Sequence, residues 1–220
     1  MHMCNKGFIF DLDGVIVDTA KFHYLAWKDL ANDLKIPFTE AQNEELKGVS
    51  RIESLKKILE WGDLSISESD FYSIMDGKNK KYLSYIATMG EEEILPDVKK
   101  TLDFLAAKKQ KIALGSASKN ARSILEKVSL IDYFQVIVDG NNVTKAKPNP
   151  EVFLKAAEEV EASSKDCIVF EDSIAGIRAA NTAGMISIGI GDEKILHEAD
   201  YVFKNFTQIS NEFLIELMNK

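Results

Sequence analysis

Cysteine is nearly absent from this chain. Of 220 residues only Cys4 and Cys167 carry a thiol, and neither stands at a metal-ligand spacing from a partner. That excludes a disulfide framework, leaves at most one bridge, and sets a reduced, cytoplasmic compartment as the expectation. Equally missing is any apolar run near the ~20 residues that a bilayer-spanning helix needs. The N-terminus lacks the apolar stretch of a secretory signal, so no membrane partner is expected. Positive charge is in deficit, with 27 Lys and Arg against 35 Asp and Glu and a net charge of −8. This balance opposes a nucleic-acid or anionic-membrane surface, although a local basic pocket still suits a small anion. There is no internal repeat and no low-complexity segment. A dinucleotide fingerprint is lacking too, because Gly189-Ile190-Gly191 has no third glycine.

What is present is a series of short apolar runs: Gly7–Phe10, Lys111–Leu114, Phe134–Val138, Cys167–Phe170, Ile186–Ile190 and Tyr201–Phe203. Continuous runs of this length read as strands buried on both faces, as in a parallel sheet. Helical patterns lie between them at Val98–Lys109, Asn120–Val128, Pro150–Val160 and Ala175–Ala183. The alternation predicts a doubly wound α/β, Rossmann-like core. From Thr19 to Gly90 no strand is legible, and helix follows helix with spacing such as Leu55, Ile58 and Leu59. The expected organisation is a core of residues 1–18 and 91–220, interrupted after its first strand by an all-helical domain of residues 19–90. The links lie near Asp18–Ala20 and Gly90–Pro96, and Glu91-Glu92-Glu93 reads as a solvated linker face. Trp27, Trp61 and Met185 read as core.

In an open α/β sheet, ligands gather beyond the carboxyl ends of the strands. Four runs end in reactive groups: Asp11 and Asp13; Ser116, Ser118, Lys119 and Asn120; Asp139 with Lys145 and Lys147; and Glu171 with Asp172. Asp11 and Asp13 face one side only if the backbone bends, which Gly14 permits. Near a phosphoryl group one carboxylate serves as a nucleophile and the other as acid or base. Two like charges there need a cation, and Mg²⁺ fits, with Asp172 as a further ligand. Read alone, Asp-x-Asp-Gly is equally a turn. It is not an EF-hand, since the twelfth position from Asp11 is Phe22. Ser116, ahead of a helix N-terminus, suits a phosphate, though Ser116 and Ser118 also read as caps. Lys147, held out of helix by Pro148, suits the charge of a transferring phosphoryl. In the helical region Lys47-Gly48-Val49-Ser50-Arg51 places two cations four apart. Arg51 brings a fork for two phosphate oxygens, and a solvated face is the alternative there. His23 reads either as a hinge hydrogen-bonding group or as structural.

The stretch Phe10-Asp11-Leu12-Asp13-Gly14-Val15-Ile16-Val17-Asp18-Thr19 resembles the first signature of the haloacid dehalogenase superfamily. Ser116, Lys147 and Glu171-Asp172 sit where its other three motifs belong, and the helical insert resembles its C1 cap. Asp18-Thr19-Ala20 with His23, Leu46–Arg51, Ser116–Asn120 and Glu171–Ile177 resemble the β-phosphoglucomutase branch of that superfamily. The resemblance implies interconversion of β-glucose 1-phosphate and glucose 6-phosphate through a bisphosphate. It implies Asp11 as nucleophile and Asp13 as general acid/base, with Ser116 and Lys147 on the transferring phosphoryl. It also implies Mg²⁺ on Asp11, the Asp13 carbonyl, Asp172 and Glu171. Substrate contacts follow at Thr19, His23, Lys47, Gly48, Val49, Ser50, Arg51, Lys78, Ser118, Lys119 and Asn120. One departure is Gly115, where the family usually has alanine. A capped phosphatase on a small sugar phosphate or phosphoglycolate shares the four core motifs. The expected partner is a small sugar phosphate, and the expected state a monomer.

Overall fold

The computed structural model describes residues 6–46 and 49–220. Six strands form one parallel sheet: β1 Gly7–Phe10, β2 Lys111–Gly115, β3 Val136–Val138, β4 Cys167–Glu171, β5 Ile186–Ile190 and β6 Tyr201–Phe203. Their order is β3-β2-β1-β4-β5-β6. The chain winds outward on one side through β2 and β3 and on the other through β4, β5 and β6. The switch point therefore falls at β1, where ligands collect in such sheets. Register is tight there, since Phe10 pairs with Leu114 on one side and with Phe170 on the other.

Alternation along the strands divides the core into two faces. Phe8 and Phe10 pack with Leu102, Ile124 and Leu217 of helices α5 (Val98–Ala107), α6 (Ala121–Lys127) and α9 (Asn211–Asn219). Ile9, Ala113 and Val169 pack on the other face with Val152 and Phe153 of α7 (Glu151–Glu159) and Ala180 of α8 (Ile174–Thr182). The rings of Phe10 and Phe170 stack at 4.6 Å. Helix α9 escaped the sequence reading although its signals are there: Ser210 caps Phe213 N, and Leu214, Leu217 and Met218 are buried. Strand β3 is shorter than expected. Phe134 closes a 3₁₀ turn, and the Gln135 carboxamide accepts from Ile112 N at the sheet edge.

Between β1 and β2 lie α1 (Ala20–Asp33), α2 (Glu40–Glu44), α3 (Arg51–Trp61) and α4 (Glu68–Ile86). They share a separate apolar cluster of Trp27, Leu30, Ile36, Leu55, Ile58 and Leu59, with Trp61 half-buried at its border. The two links between insert and core run side by side. Val17 bridges Ile94 in antiparallel fashion, Asp18 N donates to Glu93 O at 2.9 Å, and Leu95 N donates to Ile16 O at 3.0 Å. The acidic run is thus more than a solvated face. It forms a 3₁₀ turn, and Glu93 Oε2 also meets Lys21 at 2.6 Å.

Candidate active site

Because Phe10, Leu114 and Phe170 share a level, the residues after them emerge together above the sheet. Asp11 N donates to Phe170 O at 3.0 Å, and Ser116 N donates to Val138 O at 3.0 Å. Lys147 arrives from the loop before α7. Its ammonium lies 2.7 Å from Asp11 Oδ1 and 2.5 Å from Glu171 Oε1, and 4.7 Å above the Phe153 ring. The other oxygen of Glu171 accepts from Ser173 N and Oγ at 2.7 and 2.8 Å. Glu171 therefore stands behind Lys147, fully buried, with both oxygens engaged. Ser173, which follows Glu171 and Asp172 beyond the fourth run, is given no role by the sequence alone. It caps α8 through Gly176 N while holding Glu171.

Asp172 lies directly against the α-carbon of Gly14, so closely that any side chain there would collide with its carboxylate. Gly14 also has φ +81°, a backbone that favours glycine. The turn reading of Asp-x-Asp-Gly therefore holds, and the turn brings Asp172 up against Gly14. Asp13 Oδ1 takes the Thr19 hydroxyl, while His23 Nε2 stays 3.8 Å away from it. Burial outweighs Lys147 and pushes the Asp11 carboxyl up to about 7. Burial likewise raises Asp13, opposed by its Thr19 hydrogen bond.

Asp11 and Glu171 thus share one buried lysine, with Asp13 adding its charge beside Asp11. Among the described residues no three His, Cys, Asp or Glu side chains meet at metal-binding geometry. The Asp11 and Asp172 carboxylates line one cavity together with Asp13. That set fits Mg²⁺, which commonly uses one or two carboxylates and completes its shell with water and phosphate oxygens.

A cavity of about 450 Å³ opens over these groups and is lined from both sides. The core contributes Asp11, Asp13, Ser116, Ser118, Lys119 and Lys147, and the insert contributes His23, Val49, Ser50, Arg51 and Lys78. Ser116 Oγ accepts from Ser118 N at 3.1 Å, and Ser118 Oγ accepts from Asn120 N at 3.3 Å, so the serines also build the turn into α6. Ser50 caps α3 through Glu53 N. Arg51 opens that helix, where the dipole disfavours a cation, and it forms no ion pair among the described residues. Lys78 is 4% exposed. Its ammonium lies 4.3 Å over Trp27, 4.9 Å over Tyr82 and 3.3 Å from His23 Nδ1. Burial, reinforced by Arg51, brings its pKa down to about 7. Burial also lowers His23 well below its usual value, with Lys78 adding to the effect, so the imidazole is neutral.

Three expected contacts do not face the cavity. Thr19 is turned to Asp13, Glu171 to Lys147, and Asn120 Nδ2 reaches Asn79 Oδ1 of α4 at 3.4 Å. Lys47 and Gly48 lie outside the described residues. Trp27 is core, as expected, but it also supports Lys78 at the cavity wall. Sequence reasoning missed Asn43, which lines the cavity, and Tyr82, which lies against Lys78. Their signal is faint: Tyr82 is buried in α4, and its hydroxyl has no hydrogen-bond partner among the described residues.

A model of the haloacid dehalogenase-like hydrolase family matches residues 5–184. The chain is 41% identical to the β-phosphoglucomutase of Bacillus subtilis, over 96% of this chain and 94% of that one. It is 30% identical to a phosphorylated carbohydrates phosphatase of Thermotoga maritima, over 88% and 91%. The crystal structure of a β-phosphoglucomutase from Clostridium difficile matches with a TM-score of 0.94 at 40% identity, covering 98% of each chain. Coverage from the first strand through α8, with every core motif inside it, leaves one assignment: this chain belongs to the haloacid dehalogenase-like hydrolase family.

Proposed function

We propose that this chain is a Mg²⁺-dependent phosphomutase that interconverts β-D-glucose 1-phosphate and glucose 6-phosphate through a phosphoaspartate and glucose 1,6-bisphosphate. One observation carries the reading. A single cavity has Asp11, Asp13 and Lys147 on its core side, and on its insert side Lys78 with Arg51, which forms no ion pair among the described residues. Two phosphates on one sugar match two cationic ends. The 41% identity to the β-phosphoglucomutase of Bacillus subtilis supports the same reading.

In this mechanism Asp11 attacks phosphorus, and the bond from phosphorus to the sugar oxygen breaks. Asp13, whose burial favours its protonated form, gives its proton to that oxygen. Lys147 and the Ser116 hydroxyl offset charge on the transferring oxygens. The phosphoryl then passes from Asp11 to the 6-hydroxyl of a β-glucose 1-phosphate, the bond from phosphorus to Asp11 breaking and Asp13 taking the hydroxyl proton; the bisphosphate so formed returns its 1-phosphoryl to Asp11 and leaves glucose 6-phosphate. Arg51 holds the phosphate that is not reacting. Mg²⁺, on Asp11, Asp172 and the Asp13 carbonyl, would neutralise phosphoryl charge and favour ionised Asp11. Residues 19–90 serve as the cap, shielding the phosphoaspartate from water between half-reactions. The substrate is a small sugar phosphate, and the protein acts as a cytoplasmic monomer.

A phosphatase is the second reading, favoured by the Thermotoga maritima relative. The test supplies β-glucose 1-phosphate, Mg²⁺ and a trace of glucose 1,6-bisphosphate. Glucose 6-phosphate is the expected product. Inorganic phosphate alone would assign the phosphatase.

A further inference from the structure

Lys147 is a buried cation on a loop, and a loop does not by itself hold an ammonium between two carboxylates. Beyond its ion pairs, the loop has its own anchor. Glu151, the first residue of α7, folds its carboxylate back over the preceding segment. Thr144 N donates to both of its oxygens at 3.1 Å, Thr144 Oγ1 donates to Oε2 at 3.0 Å, and Lys145 N donates to Oε2 at 2.8 Å. Lys155, one helical turn on, pairs with Oε1 at 3.1 Å. The segment closes from the other side as well. Asn149 N donates to Ala146 O at 3.0 Å, and Glu151 N donates to Asn149 Oδ1 at 3.1 Å. Residues 144–151 thus form a closed ring of hydrogen bonds with Lys147 at its crest. Two residues past Glu151 on the same helix comes Phe153, the ring beneath the Lys147 ammonium.

We infer that Glu151 is a positioning residue for phosphoryl transfer, acting through the backbone of residues 144–145 to fix where Lys147 meets Asp11. It touches neither Asp11 nor the substrate phosphate, and it does not line the cavity over Asp11. Its carboxylate replaces the backbone partners that Thr144 and Lys145 would otherwise seek in water, so the loop is ordered before substrate arrives. A negative charge is also favoured at the first position of a helix. The backbone amides of Thr144 lead the groups that hold the Glu151 pKa down to about 2, so the clamp stays charged at any working pH.

The inference rests on the assignment of Asp11 and Lys147 to phosphoryl transfer, and the experiment separates the two. Asp11 is labelled with radioactive acetyl phosphate in single turnover, using the parent, E151Q and E151A, with melting temperatures measured alongside. An unlabelled parent would overturn the Asp11 assignment itself. With a labelled parent, E151A is expected to phosphorylate about 10- to 100-fold more slowly, as misplacement of a charged group near the reacting atoms predicts. Its KM for acetyl phosphate should change less than about twofold, and its melting temperature by no more than a few degrees. E151Q keeps one acceptor oxygen for Lys145 N and Thr144 Oγ1, and should fall between. Parent-like labelling by E151A, or a loss in all variants that follows melting temperature and disappears on cooling, would overturn the positioning role.

Discussion

The ring of Phe153 occupies the space into which a side chain at Gly115 would point: a Cβ there would come within 2.8 Å of Cδ1. Gly115 is the last residue of β2, immediately before Ser116, and Phe153 is fully buried beneath Lys147. G115A therefore displaces the ring or the strand. The expected loss of stability is about 1–3 kcal/mol, as for other overpacked cores. Because the ring supports Lys147, phosphorylation of Asp11 should slow as well. Urea unfolding together with acetyl phosphate labelling checks both. An alanine variant as stable and as active as the parent would show that the contact relaxes freely.

In the proposed mechanism Arg51 is the residue at which mutase and phosphatase chemistry part. R51A should lower glucose 6-phosphate formation by about 30- to 1000-fold, since a charged contact of roughly 2–4 kcal/mol is lost. Labelling of Asp11 by acetyl phosphate, which has no second phosphate to hold, should be nearly unchanged. Lysine should rescue only in part, because it lacks the fork. Equal losses in both assays would move Arg51 from the distal grip to support of the fold.

Lys78 links the insert to pH. Its pKa is about 7 when folded and about 10.4 when unfolded. Between those values the unfolded chain binds more protons, so stability rises with pH across that window. K78M should abolish the rise and be more stable than the parent below pH 7, by denaturant unfolding at several pH values. A bound phosphate near the ammonium should raise its pKa, so sugar-phosphate binding at pH 8 should take up protons. Calorimetry in two buffers of different ionisation enthalpy measures that uptake.

Among the described residues, five helices end on a non-glycine residue in the left-handed region: Lys35, Asp63, Lys109, Ser129 and Glu161, with φ between 47° and 58°. At α5, Lys109 N donates to Ala106 O and Gln110 N donates to Leu105 O, the double bond pattern that glycine serves best. Lys109 and Glu161 are exposed. K109G and E161G should each stabilise the protein by about 0.5–1 kcal/mol, the relief of left-handed strain less the added freedom of the unfolded chain. Thermal melts of each variant and of the pair should give additive gains.

Much of the core site was readable because Asp11, Asp172 and Asp13 sit one, two and three residues beyond runs that announce themselves as buried strands. The insert was readable as helix, and Leu55, Ile58 and Leu59 are indeed buried together. What stayed hidden depends on neighbours that only the fold supplies. Nothing local marks Glu151 as the partner of amides six and seven residues earlier, and nothing near Gly115 names Phe153. Glu171 looked like a cation ligand, and only the arrival of Lys147 and Ser173 shows both of its oxygens engaged. The Asn120 side chain looked phosphate-directed, yet Asn79 lies within its reach.

The antiparallel pairing of Val17 with Ile94 has a consequence for change over generations. It makes the whole helical region, topologically, the tip of a ribbon whose base is stapled to the sheet. The ends of a ribbon stay together whatever is strung between them, and the entropy of closing a loop grows only slowly with its length. The four helices can therefore be lengthened, trimmed or rewritten for a new sugar while Asp11 and Asp13, on the near side of the staple, keep their places.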